Sequence, residues 1–159
     1  VERVVTVTGK TLAHPANLLV RIGTPIRSLI ELCGGMPQDS LKVINGGPMM
    51  GRAVSNIDAP VTKGTSGVVI MRNCEALRPA SGSCIKCAKC VSVCPMALEP
   101  YLMSKLSQRG RYDELEPLKI TDCIECGSCA YTCPAALPLL DYIRLGKSET
   151  IKRIRARKS

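Results

Sequence analysis

The sequence predicts an α+β chain in two parts, a ββαββ unit followed by an all-helical unit. Three observations predict this. Runs rich in β-branched residues recur through residues 1–73 and then stop. A single helical run with its own start and stop signals interrupts them. Eight of the ten cysteines come later, in two copies of one spacing, among segments that read as helices.

Arg3-Val4-Val5-Thr6-Val7-Thr8, ending at Gly9, is dense in the residues that fit a pleated, half-buried surface. Leu18-Leu19-Val20-Arg21-Ile22 is the second strand. Thr24-Pro25 predicts a helix start, with Thr24 as N-cap and Pro25 at the first helical position, where its missing N–H costs nothing. Ile26, Leu29, Ile30 and Cys33 follow at helical spacing, and Gly34-Gly35 stops the run. Leu41–Asn45 and Gly67–Arg72 give two more strands, separated by a loop of about twenty residues. One helix against a small mixed sheet is a β-grasp-like arrangement. From Cys74 onward the strand signals vanish. Pro100 opens a helix over Tyr101–Gln108 that Gly110 closes, residues 112–118 give a short helical turn, and Pro138 opens another helix through Leu145. The expected division is a β-grasp domain over 1–73, a linker over 74–82, a helical domain over 83–146 and a basic tail over 147–159.

The cysteines carry the chemistry. Cys84, Cys87, Cys90 and Cys94 precede Pro95, and Cys123, Cys126, Cys129 and Cys133 precede Pro134. Each run reads C-x2-C-x2-C-x3-C-P, the spacing that holds [4Fe–4S] clusters in two-cluster ferredoxins, where the fourth cysteine of each run ligates the other cluster. The expected ligands are therefore Cys84, Cys87, Cys90 and Cys133 for one cluster, and Cys123, Cys126, Cys129 and Cys94 for the second. Zinc is the competing reading of paired C-x2-C motifs, but it leaves the third cysteine and the trailing proline of each copy without a role. A disulfide framework is the other, and nothing in the chain suggests export. The copies form an internal repeat at a constant offset of 39: Cys84-Ile85, Pro95 and Ala97-Leu98 recur as Cys123-Ile124, Pro134 and Ala136-Leu137. Ile85, Val91, Ile124 and Leu137 are candidates to shield the clusters.

Composition bounds the rest. The chain has 159 residues and only 3% aromatics, with no Trp and no Phe, a thin supply of large core groups. Metal cross-links would compensate, so the helical part is expected to depend on iron for its fold. Each oxidised cluster with four thiolates carries about −2, which brings the formal charge of +9 to about +5. No apolar run is long enough to cross a bilayer. No signal peptide is evident, the lack of an initiator Met suggests a fragment of something longer, and cluster cysteines favour a reducing compartment, so a cytoplasmic location is expected. The tail offers Lys147, Lys152, Arg153, Arg155, Arg157 and Lys158 against Glu149, and Ile151 and Ile154 sit three apart, so that it could extend the preceding helix; it reads either as a docking arm for an acidic partner or anionic membrane surface, or as a solvated, frayed end. A nucleic-acid role is not expected, since few aromatics are present to stack bases. Lys86 and Lys89 lie inside the first ligand loop and Glu125 inside the second, which predicts a higher reduction potential at the first site.

Leu19-Val20-Arg21-Ile22-Gly23-Thr24-Pro25, the loop Asn45-Gly46-Gly47-Pro48-Met49-Met50-Gly51, and the double cysteine motif with Pro95-Met96 together resemble the C subunit of the Rnf ion-translocating electron-transport complex. The resemblance covers essentially the whole chain. It implies a soluble-ligand-binding β-grasp domain followed by a helical dicluster ferredoxin domain. It also implies one-electron transfer within a membrane-associated ferredoxin:NAD oxidoreductase, with the other subunits as partners. The location implied is peripheral, on the cytoplasmic face of the cell membrane. FMN and NAD(H) belong to a further region of that family, expected N-terminal to Val1, because no G-x-G-x-x-G follows a strand here. The chain alone is thus not expected to turn over a substrate. A cobalamin-reductase-type redox subunit shares these modules. A small-ligand-binding module with structural clusters is the reading from a different class.

The glycines of the Gly46–Gly51 loop, Gly46, Gly47 and Gly51, fit either close approach of backbone to a cofactor or a tight turn. His14, the single histidine, reads as structural or solvated; Cys33 as a buried thiol; Cys74 as a non-ligand.

Overall fold

The computed structural model describes residues 1–77 and 79–157. The chain divides into two compact units, Val1–Arg78 and Pro79–Ser159.

The first unit is a mixed five-stranded sheet with helices, its strands being β1 (Glu2–Gly9), β2 (Ala16–Arg21), β3 (Ser40–Asn45), β4 (Arg52–Ala53) and β5 (Gly67–Arg72). The spatial order is β2-β1-β5-β3-β4; β1 and β5 run parallel and the other pairs antiparallel. Alternation along the strands sends Val5, Val7, Val20, Val43, Val68 and Ile70 into one core. Helix α1 (Ile26–Leu32) covers it with Ile26, Leu29 and Ile30, spaced to share one face. A four-residue helix, α2 (Asn73–Ala76), follows β5, and Lys10 pairs with its Glu75 at 2.5 Å.

Two details depart from the sequence reading. Helix α1 starts at Ile26, with an extended Pro25 at the cap position and no side-chain cap. Thr24 is not the cap because its carbonyl accepts the Val61 N–H at 2.8 Å, and Pro25 bridges to Pro60. The free amides of the first turn are met by the same distant loop: Ile26 N–H donates to the Ala59 carbonyl and Arg27 N–H to that of Ile57. The long loop also holds β4, whose two residues are too few to show a period.

The second unit contains α3 (Lys89–Ser92), α4 (Pro100–Gln108), α5 (Ser128–Thr132), α6 (Leu139–Ala156) and 3-10 turns at Tyr112–Glu114 and Ile120–Asp122, with no strand among its described residues. Met103 and Leu106 of α4 pack with Leu98, Leu115, Ile120 and with Leu139 and Ile143 of α6. Helix α6 does not stop at Leu145. Residues 147–156 continue it, as the spacing of Ile151 and Ile154 allows, and Thr150 is buried. Among the described residues no helix is long and apolar enough to cross a membrane.

Candidate metal centre

The two cysteine runs repeat in backbone as well as in sequence. Lys86, Ala88 and Ala97 take positive φ in the first copy, and Glu125, Gly127 and Ala136 take it 39 residues later. Non-glycine residues enter this region reluctantly, at about 1–2 kcal/mol each. The repeated left-handed turns curl each ligand loop back on itself, after which a short helix starts, α3 or α5.

Cys94, Cys123, Cys126 and Cys129 line one cavity. Leu98 and Met103 close it from one side, Leu140 and Ile143 from α6, and the half-exposed Met96 and Ile124 also line it. Cys133 acts on a cysteine of the other run: its charge is felt at Cys90, as that of Cys94 is felt at Cys123. Cys84 and Cys87 are exposed. Among the described residues no three His, Cys, Asp or Glu side chains close on one ion-sized centre. Four cysteines on the wall of one cavity are a donor set that fits a cluster with four corners.

Burial and hydrogen bonding act on these thiols in opposite directions. Burial pushes Cys129 up to about 11 and raises Cys123 and Cys90. Ser128, whose Oγ lies 3.4 Å from the Cys126 Sγ, holds Cys126 below the ordinary thiol value. The Leu98 main-chain N–H donates to Cys94 Sγ at 3.4 Å, and backbone hydrogen bonding from Tyr101, Glu125 and Ala130 works against the larger effect of burial at Cys90, Cys123 and Cys129. Such donors favour the thiolate form that iron takes.

Helix α6 meets the second ligand loop directly. Arg144 Nε donates to Glu125 Oε2 at 2.9 Å, and Lys147 Nζ donates to the Cys123 carbonyl at 2.6 Å while standing 3.6 Å from Glu125 Oε1. Glu125, expected as an anion bearing on the second site, has its carboxylate between two cations. At the basic end of the chain exposed cations pair with acids of the same unit. Lys152 pairs with Glu149, Arg153 with Asp113 while lying over the Tyr112 ring, and Arg157 with Glu116. Lys158, counted in the tail, lies outside the described residues.

The Gly46–Gly51 loop closes β3 on β4. Gly46 sits at φ +107 and donates to the Gly67 carbonyl at 2.7 Å; Gly51 donates to that of Gly47 at 2.7 Å. A Cβ at Gly51 would collide with Ile44 and stand 2.6 Å from the Gly47 oxygen. Packing within the turn thus accounts for Gly46 and Gly51, while Gly47 has open space at its Cβ position. Cys33 is buried beside α1, its thiol raised by that burial, and Cys74 and His14 are exposed.

Sequence reasoning missed Arg144 and read Lys147 as part of the tail rather than as a partner of the second loop. Their one signal was position: α6 starts 39 residues after α4, so its first turns face the second loop.

Comparison with known proteins gives the same division. Residues 4–53 match the SLBB domain family, and residues 77–134 match the 4Fe-4S dicluster domain family. The chain is 45% identical over 150 residues to the C subunit of the proton-translocating ferredoxin:NAD(+) oxidoreductase complex of Clostridium ljungdahlii, covering 94% of this chain and 33% of that one. Against the C subunit of the Na(+)-translocating ferredoxin:NAD(+) oxidoreductase complex of Acetobacterium woodii the identity is 45%, covering 94% and 34%. The C subunit of the ion-translocating oxidoreductase complex of Rhodobacter capsulatus is 39% identical over 153 residues, covering 96% and 30%. The chain spans about a third of the length of the curated relatives it matches. Its two domains, in this order and at this identity, make it a member of the C-subunit family of Rnf-type ion-translocating oxidoreductase complexes.

Proposed function

We propose that this chain is the electron-transfer part of a membrane-associated ferredoxin:NAD oxidoreductase, working beside the other subunits of the complex on the cytoplasmic face of the membrane. The observation that carries the reading is that Cys94, from the first run, lines the same cavity as Cys123, Cys126 and Cys129 of the second. Crossed ligation follows: Cys94 completes the second site, and Cys133 joins Cys84, Cys87 and Cys90 at the first. Two [4Fe–4S] clusters, when bound, supply one-electron carriers.

The protein's own part is to hold and insulate. Eight thiolates fix the two sites, and crossing the fourth ligand ties the runs so that neither site forms alone. Leu98, Met103, Leu140 and Ile143 keep water from the second site, which strengthens the electrostatic effect of every charge near it. FMN and NAD(H) belong, on this reading, to the remainder of the subunit. The first unit is read as a β-grasp domain over residues 1–73, joined by 74–82 to a ferredoxin domain over 83–146. The turn at Gly46, Gly47 and Gly51, with exposed Met49 and Met50 at its tip, is where that domain would approach a cofactor or neighbour.

Anaerobic preparation should yield about eight iron and eight sulfide per chain, and dithionite should reduce both clusters rapidly and reversibly. Redox-inert clusters would favour the small-ligand-binding alternative, and activity with a corrinoid partner the cobalamin-reductase alternative. Tetrahedral zinc would end all three.

A further inference from the structure

The two ligand loops share a backbone but not a charge. Lys86 and Glu125 occupy equivalent left-handed positions, at φ +56 and +57. Arg144 and Lys147, which engage Glu125, have Lys105 and Gln108 as counterparts 39 residues earlier. The first repeat therefore has lysine at both positions where the second has an acid–base pair, a combination that cannot bond. In the second repeat the side chains of Arg144 and Lys147 are each 19% exposed and that of Glu125 is 28% exposed. Charges this sheltered are screened by salt far less than surface pairs. Lys147 also reaches past the carboxylate to the carbonyl of a cysteine ligand. One side chain thus fixes both the first cysteine of the run and the residue that turns the loop.

We propose that Arg144 and Lys147 are positioning residues of the second cysteine site: they fasten the Cys123–Cys129 loop to α6, and their positive charge raises the reduction potential of the cluster that this loop holds. The inference rests on the proposed reading of the eight cysteines as ligands of two clusters. A cation beside a cluster favours its reduced, more negative state, and the carboxylate between the cations offsets part of that effect. Removing a cation and removing the carboxylate should therefore loosen the loop alike but move the potential in opposite directions.

The test uses the full chain loaded with iron and sulfide, as wild type and as Lys147→Gln, Arg144→Gln, Glu125→Gln and Lys147→Arg. EPR-monitored redox titration reads the potential of each cluster, and bleaching in a strong iron chelator reads how firmly each is held. Lys147→Gln should lower the one-electron reduction equilibrium of one cluster about tenfold, or about 59 mV, and leave the other in place. Glu125→Gln should raise that same cluster, both variants should lose iron faster than wild type, and Lys147→Arg should restore both readouts. Arg144→Gln keeps the bond to the Cys123 carbonyl and carries the same expectation if the Lys147 variants do not load. Faster iron loss without opposite shifts, equal shifts of both clusters, or no shift overturns the inference and leaves the cluster reading intact. A wild-type chain that binds no cluster overturns both.

Discussion

Gly146 of α6 lies against Ser107 of α4 with no room for a side chain. A Cβ there would collide with the Ser107 hydroxyl, which is itself committed to the Met103 carbonyl at 2.7 Å, and would stand 2.7 Å from Leu115 Cδ1. This contact sets how near the two long helices approach, and both carry residues that line the second site. Gly146→Ala should destabilise the second unit by about 1–3 kcal/mol through overpacking. Chemical denaturation measures it. Adding Ser107→Ala should recover only part of the loss, because Leu115 remains in the way; an unaffected single variant would mean the helices part freely.

The backbone repeat makes a paired prediction about the ligand loops. Ala88 and Gly127 occupy the same left-handed position, at φ +57 and +82. Glycine is at ease there and alanine is not. Gly127→Ala should cost about 1 kcal/mol, and Ala88→Gly should gain about as much from relieved strain, less the extra freedom given to the unfolded chain. Opposite signs in thermal unfolding of the loaded protein check the pair. Equal signs would mean the loops do not share a conformation.

What was legible in the sequence was what is local. The cysteine spacing is set within eleven residues of chain, so both runs could be read directly. The dense β-branched run through Val5 and Val7 gave β1, and Ile26, Leu29 and Ile30 gave α1. The start of α1 could not be read because Thr24 and Pro25 answer to Pro60 and Val61, contacts that exist only in the folded chain. The potential difference read from Lys86, Lys89 and Glu125 left Arg144 and Lys147 out of account for the same reason. Glu125 meets Arg144 across nineteen positions, and no window over the ligand loop contains that partner. The surplus of cations at the end of the chain pointed outward on paper, yet Arg153 and Arg157 turn back to Asp113 and Glu116.

That return contact has a pH signature. Arg153 holds the Asp113 carboxyl below the ordinary carboxylate range. A depressed folded-state value stabilises the fold above the unfolded value and is lost as pH falls through the folded one. Wild type should therefore exceed Asp113→Asn in stability at neutral pH, and the gap should close in acid, below the ordinary carboxylate range. Parallel acid titrations followed by the α6 helical signal test it. The effect is small, as befits an exposed pair, and a gap that widened on acidification would contradict the sign.

Iron removal should separate the two units. The first has a complete apolar core of Val5, Val7, Ile26, Leu29, Val68 and Ile70 that needs no metal. The second builds Cys129 and the neighbouring cysteines into its core. Chelation should remove most of the helical circular dichroism of residues 83–146 while amide exchange in β1 and β5 stays slow. An unchanged helical signal would show that the second unit folds without clusters.

The crossing of the fourth cysteine is the claim on which the proposed wire depends, and EPR of four single variants tests it most directly. Cys94→Ala and Cys123→Ala should perturb the same cluster signal, while Cys133→Ala and Cys84→Ala perturb the other. If Cys94→Ala instead matched Cys84→Ala, each run would ligate its own cluster and the account would be wrong.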